Sequence, residues 1–322
     1  MLNSIVNRMF GGEPEAAVVN SDVGSQRKRG AGQRKSHFCQ QLLAENERPH
    51  EAELKKLWKS LEDQMAVVPS GPVLLRDMEV SMEENSQGGD VVHTQQTMVE
   101  SFYVDKTAVT NADFLQFVKA GCYEDMELWD QQIWPKVTQM TDRTGKPGPK
   151  YWEHGKPPRD KMEHPVVGIN WYEAQAYARW VGKQLPSSAQ WQRAATWHHA
   201  ESKEGNATKF TWGGTYETQF ANAWANGIGT TVPVTEFYSG ATPNGTYQLI
   251  GNTWEWINGP FSIQSQSGQP NNDLYEIRGG AFDTYLDSQM TCQFRSGQPR
   301  SHRTSNLGFR CVIPVKQLHR PQ

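Results

Sequence analysis

"HPVVGINWYEAQAYARWVGKQLPSSAQWQRAA", residues 164–195, holds two helix starts within one stretch. Asn170 followed three residues later by Glu173 has the spacing of a capping box, in which each side chain satisfies a backbone N–H near the helix start. Ala174, Ala178 and Val181 then recur at helical spacing and form an inward stripe. The spacing predicts a helix over 170–182 and a shorter one beginning at Ser187 or Ser188.

Upstream, "TNADFLQFVKAG" (110–121) predicts a helix with Thr110 as N-cap, Asp113 at the third position and Gly121 as the stop. "RPHEAELKKLWKSLEDQM" (48–65) puts Leu54, Leu57, Trp58 and Leu61 on one face, with charges opposite. An amphipathic helix over 50–64, docked on the domain body or on a partner, is expected. Beyond residue 65 the apolar runs are short and broken by Gly, Pro and Asn, with glycine pairs at 213–214 and 279–280. No internal repeat is visible. This is an irregular α+β pattern whose loops must be held by side-chain packing and by ions.

The 322 residues carry a formal charge of −3 and 11% aromatics, 12 of them Trp, which is material for a sizeable core without a general drive toward nucleic acid. The basic run "QRKRGAGQRK" (26–35) reads as part of a solvated leader over 1–49. No stretch reaches the ~18 apolar residues of a membrane span. The first twenty residues place charge and glycine where a signal peptide has an apolar core, so the sequons at Asn206 and Asn244 carry little weight. Cys39, Cys122, Cys292 and Cys311 have neither CxxC nor metal-finger spacing. A cytoplasmic protein with reduced thiols is the expectation.

Five segments, in order, resemble the sulfatase-modifying-factor (formylglycine-generating enzyme) family: "FYVDKTAVTNADFLQFV" (102–118), residues 164–195, "GNTWEW" (251–256), "RGGAF" (278–282) and "SNLGFRC" (305–311). The resemblance implies an irregular, C-type-lectin-like α+β fold over 65–315, often calcium-bound. The helix at 50–64 precedes that domain and a tail of 316–322 follows it. The family includes copper oxidases that convert a substrate cysteine to formylglycine, paralogues without that activity, sulfoxide synthases of thiohistidine biosynthesis and ligand-binding proteins.

The family's oxidases hold Cu(I) on two cysteines five residues apart, just before the "NLGFRC" strand; thiolates suit this soft ion. Here the second position is Cys292 and the first is Asp287, a hard carboxylate, so the two-thiolate site is not expected and neither is copper. Cys292 then reads either as a lone reactive thiol, with Arg295 nearby to lower its pKa, or as a half-buried loop cysteine. Cys311, in "SNLGFRCV", reads as a small core residue on a short strand. Arg295, Arg300, His302 and Arg303 surround the groove implied at this loop and suit an acidic ligand or protein segment.

The resemblance also places calcium ligands at Gln248, Gly251, Thr253 and Glu255. The alternative is that Trp254 and Trp256 are core and Glu255 a buried acceptor. A second calcium loop begins at Asn222, but its downstream acidic ligand has no counterpart here. The nine histidines are scattered, without the cluster a sulfoxide synthase uses for iron. The resulting expectation is a non-enzymatic module that binds a protein segment or small ligand in its groove and is tethered to an assembly through 1–64. The alternative is a formylglycine-generating-type oxidase using Cys292.

Overall fold

The computed structural model describes residues 37–77, 93–199, 208–261 and 273–321. The basic run at 26–35 lies outside the described residues. Six helices are described: α1 (Phe38–Leu42), α2 (Glu51–Gln64), α3 (Asn111–Lys119), α4 (Trp134–Val137), α5 (Trp171–Trp180) and α6 (Ser188–Thr196). Each of the three sequence-read starts inside the domain is a reciprocal capping box. Thr110 pairs with Asp113, Asn170 with Glu173 and Ser187 with Gln190. Gly121 ends α3 at φ +71°, a left-handed conformation costly for residues with a Cβ.

Nine short strands complete the fold: β1 (Met65–Val68), β2 (Gly71–Asp77), β3 (His93–Val99), β4 (Phe102–Asp105), β5 (Trp254–Pro260), β6 (Leu274–Arg278), β7 (Ser296–Pro299), β8 (Leu307–Gly308) and β9 (Val312–Pro314). They form a three-stranded sheet β1-β4-β9, a β2–β3 pair and a four-stranded sheet β7-β6-β5-β8. Every pairing is antiparallel except β5 with β8. The low content of regular structure agrees with the irregular α+β expectation.

"SNLGFRCV" is not one strand. Leu307–Gly308 lie parallel to Trp254–Glu255, and after Phe309–Cys311 the chain joins the other sheet, with Val312 opposite Val104. Phe309 and Cys311 are fully buried at this crossing. The main core packs α3 against α5 around Phe309: the Phe114 and Tyr177 rings stack with centroids 5.5 Å apart, and Phe309 meets Tyr177 edge-on at 5.4 Å. A second core lies between α6, β4 and β5 and includes Trp191, Ile257, Met290 and Cys292.

Both expected terminal boundaries shift. The leader does not extend to residue 49: Cys39 and Leu42 on α1 are fully buried in a cluster with Leu54, Leu61, Met65, Tyr103, Ile313 and Leu318. The tail packs into the same cluster, with Leu43 bridged to Leu318 and His319 N–H donating to Leu42 O. A five-residue helix is too short to show periodicity, and two of its apolar partners, Ile313 and Leu318, lie some 270 residues away in sequence. The apolar face of α2 is spent on the domain itself: Leu54 and Leu61 are fully buried and the Trp58 indole donates to His319 O.

Candidate functional site

The segments read as functional meet where β5, β6 and the β8–β9 crossing come together. Arg310 and Glu255 lie at the centre, both buried. Arg310 Nε donates to both Glu255 oxygens at 2.8 and 2.9 Å, and Nη2 donates to Oε1 at 2.7 Å. The Trp191 indole N–H donates to Oε2 at 2.8 Å. Further guanidinium N–H groups reach Asp105 O at 3.1 Å and Tyr247 O at 2.8 Å. One ion pair therefore joins the three-stranded sheet at Asp105, the four-stranded sheet at Glu255, α6 at Trp191 and the loop at Tyr247.

That geometry corrects the calcium expectation for this loop. Glu255 has both oxygens engaged by a guanidinium, so positive charge already stands where the cation would. Gln248, at φ +48°, donates to Pro233 O and Glu236 O, and its Oε1 accepts from Asn252 at 2.7 Å. The Gly251 carbonyl accepts from Thr253 N–H at 2.9 Å, an ordinary turn contact. The Gln248 and Glu255 side chains, engaged in this way, do not fit the cation site expected with Gly251 and Thr253. Trp256 is fully buried, and the reading of Glu255 as a buried acceptor describes the loop.

Asn222 differs. Its Nδ2 donates to Thr230 O and to Asn252 Oδ1, at 3.0 and 3.1 Å. The residue is fully buried, and its Oδ1 has no hydrogen-bond partner. A buried amide oxygen without a donor costs about 1–3 kcal/mol.

Cys292 lies in the second core, fully buried. Its backbone N–H donates to Lys209 O at 2.7 Å, and its carbonyl accepts from Arg278 at 3.0 Å. Burial pushes the thiol pKa up to about 12, against the opposing pull of the Arg278 charge. Activation by Arg295 is not what the structure holds: that guanidinium reaches the buried Glu276 at 2.9–3.0 Å. Asp287, five residues earlier, is exposed at the start of a 3-10 turn, Asp287–Met290. A sealed, protonated thiol and a solvent-facing carboxylate do not fit a two-thiolate Cu(I) site.

The expected basic groove is also not assembled. Arg300 approaches Asp273 at 3.4 Å and stands over the Tyr172 and Tyr275 rings. Arg303 is a core strut: it donates to Thr141 O, Gly148 O and the fully buried Glu173, which also accepts the Tyr123 hydroxyl at 2.5 Å. Glu173, the cap of α5, thus serves a second ion pair that joins two parts of the main core. His302 is exposed. Three of the four basic groups already face a carboxylate of this chain: Arg295 and Arg303 a buried one, Arg300 the exposed Asp273.

Sequence reasoning missed what the 281–292 loop presents outward. Ala281 is fully buried and Thr284 nearly so, with Thr284 Oγ1 accepting from Ala281 N–H at 2.8 Å; Met290 and Cys292 anchor the other end. Between these anchors Tyr285 and Leu286 stand exposed, and the exposed Trp224 is held to the same loop by its backbone N–H, which donates to Thr284 O at 3.3 Å. The available signal was "DTYLDS" (283–288), two apolar residues bracketed by aspartates in a loop.

The fold and the crossing of "SNLGFRC" with "GNTWEW" define a sulfatase-modifying-factor-type domain. Residues 50–315 match the sulfatase-modifying factor enzyme 1-like domain family, and the chain belongs to it. It is 30% identical over 264 residues to the formylglycine-generating enzyme of Streptomyces coelicolor, covering 70% of this chain and 82% of that enzyme. It is 28% identical over 205 residues to the hercynine oxygenase of Mycobacterium tuberculosis, covering 57% of this chain and 46% of the oxygenase, so it spans less than half of that relative. Among solved structures, CarF aligns with a TM-score of 0.53 at 17% identity over 78% of this chain and 98% of CarF. PvdO from Pseudomonas aeruginosa aligns with a TM-score of 0.51 at 20% identity, over 78% and 94%. These likenesses show the fold alone.

Proposed function

We propose that this chain is a divergent, non-oxidase member of its family that acts as a protein- or ligand-binding module. One observation supports the reading: Cys292 is fully buried with its pKa pushed up to about 12, while Asp287, which the family resemblance places at the other oxidase cysteine, is an exposed carboxylate. Cu(I) is held by accessible thiolates, and a thiol sealed in an apolar core is a poor ligand and a poor nucleophile. A cytoplasmic location belongs to the same proposal and is supported by four buried, unbridged cysteines. Among the described residues, no helix is long and apolar enough to cross a membrane.

The decisive experiment is Cu(I) titration against a competing chelator, followed by incubation of the loaded protein with oxygen and a cysteine-containing peptide. The expected outcome is no tight binding and no formylglycine. Tight Cu(I) binding with cysteine oxidation, both lost in Cys292→Ser, overturns the module and establishes the oxidase alternative that the 30% identity to a formylglycine-generating enzyme favours.

Calcium enters the proposal at Asn222. An amide oxygen is a hard donor that suits Ca2+, and this Oδ1 is buried and unpartnered. Chelation is expected to lower the melting temperature of the wild type but not of Asn222→Ala. Equal melting curves with chelator and with excess calcium reject it.

A further inference from the structure

We propose that Trp224, Tyr285 and Leu286 form a docking face for an extended protein segment that carries Lys or Arg beside an apolar side chain. The inference rests on the binding-module reading and names its partner's chemistry. The three side chains are 58%, 70% and 49% exposed, in a molecule that fully buries Trp152, Trp191 and Trp256. The Trp224 and Tyr285 rings meet edge-on with centroids 4.8 Å apart. A contiguous exposed aromatic pair departs from the usual scatter of single apolar surface residues, and such patches mark contact sites.

The face is held in place from beneath. Trp224 begins a 3-10 turn, Trp224–Asn226, closed by Gly227 at φ +68°. Asn226 Oδ1 accepts from Ala223 N–H at 2.8 Å, and its Nδ2 donates to Thr218 O at 2.8 Å. Tyr285 and Leu286 directly follow the buried Thr284, and the Leu286 carbonyl accepts from Gln289 N–H at 3.0 Å. Both elements are anchored, so little conformational entropy is lost when a partner settles on them.

Charge selects the occupant. Asp283 and Asp287 bracket the Tyr285–Leu286 pair in sequence, and both are exposed. Asp283 accepts from the neutral Asn306 amide at 3.0 and 3.1 Å, and among the described residues neither carboxylate has a cationic partner. A Lys or Arg has two favourable places here: against these carboxylates, or over the faces of Trp224 and Tyr285 as a cation–π contact. An adjacent apolar side chain covers Leu286. An acidic segment meets repulsion from both aspartates.

The test uses three synthetic decapeptides in which Leu alternates with Arg, with Glu or with Ser, titrated calorimetrically into the full chain at low and high salt. The Arg peptide is expected to bind at least tenfold more tightly than the Glu and Ser peptides, with affinity falling as salt rises. Trp224→Ala combined with Tyr285→Ala is expected to lose at least tenfold of that binding. Asp283→Asn combined with Asp287→Asn is expected to lose the preference for Arg over Ser while keeping weak binding. All these side chains are exposed, so melting temperatures should stay near wild type, and a variant that melts normally reports on docking alone. Equal affinity for the three peptides, or full binding by the double-aromatic variant, overturns the proposal. So does binding of a simple methyl glycoside at this face in place of the Arg peptide. These results leave the non-oxidase reading standing, because that reading fails only in the Cu(I) and cysteine-oxidation experiment.

Discussion

Replacing Arg310 with Met removes the cation at the centre of the fold while keeping a long apolar stem. Glu255 then retains the Trp191 indole N–H at 2.8 Å but loses three guanidinium contacts of 2.7–2.9 Å, and the Asp105 and Tyr247 carbonyls lose their Arg310 donors. Both side chains are at most 1% exposed, so water cannot replace the missing partner. Removing one member of a buried pair costs about 3–5 kcal/mol, because the remaining charge is left uncompensated. At about 2–4 °C per kcal/mol, the value for domains of 150–250 residues, the melting temperature should fall by on the order of 10 °C. The assay is urea and thermal unfolding of the wild type, Arg310→Met, Glu255→Gln and the double variant. The double variant should recover part of the loss, giving a coupling energy of at least about 2 kcal/mol. Arg310→Lys keeps the charge without the planar fork and should fall in between, which preserves the test if Arg310→Met does not fold. A loss below about 1 kcal/mol in Arg310→Met, or strict additivity in the cycle, refutes the view that this ion pair holds the crossing together.

Two further outcomes follow from the buried thiols and from α1. Native protein at pH 8 should leave Cys292 unmodified by an aromatic disulfide reagent, because a thiol with a pKa near 12 is only about 0.01% thiolate there; rapid labelling of that residue without unfolding contradicts its burial. His37, the N-cap of α1, accepts from Cys39 N–H at 3.3 Å, and burial lowers its pKa from 6.5 to about 4. The folded state therefore binds fewer protons than the unfolded chain between these values. Its stabilising contribution is full above pH 6.5 and falls by up to about 1.4 kcal/mol per unit as pH drops toward 4. Protection factors for residues 38–43, with the intrinsic pH dependence of amide exchange divided out, should fall on acidification and lose that dependence in His37→Gln; an unchanged profile in the variant removes His37 as the cause.

What could be read from the chain alone was local or carried by motif. The caps at Thr110 and Asn170 are encoded within four residues each, so their positions followed from spacing and hydrogen-bonding chemistry; spacing narrows the third start to Ser187 or Ser188, and the bond to Gln190 selects Ser187. The inward stripe of α5 followed in the same way from helical periodicity. The family order of segments, ending in "SNLGFRC", pointed to the irregular α+β fold. Burial and charge partnership were a different matter, because they join residues far apart in the chain. Arg310 meets Glu255 across 55 positions, Arg303 meets Glu173 across 130, and Leu43 meets Leu318 across the length of the domain. Glu255 read as a cation ligand because its sequence neighbours suit a loop; the guanidinium that occupies it arrives from another strand. Arg295, Arg300 and Arg303 read as a basic groove because they are close in sequence, yet each is turned toward a separate carboxylate. The aspartates at 283 and 287 were visible from the start, whereas the exposure of Trp224, Tyr285 and Leu286 was not. Whether an aromatic side chain is core or surface depends on the three-dimensional space left for it, and in this loop-rich fold only tertiary packing decides that.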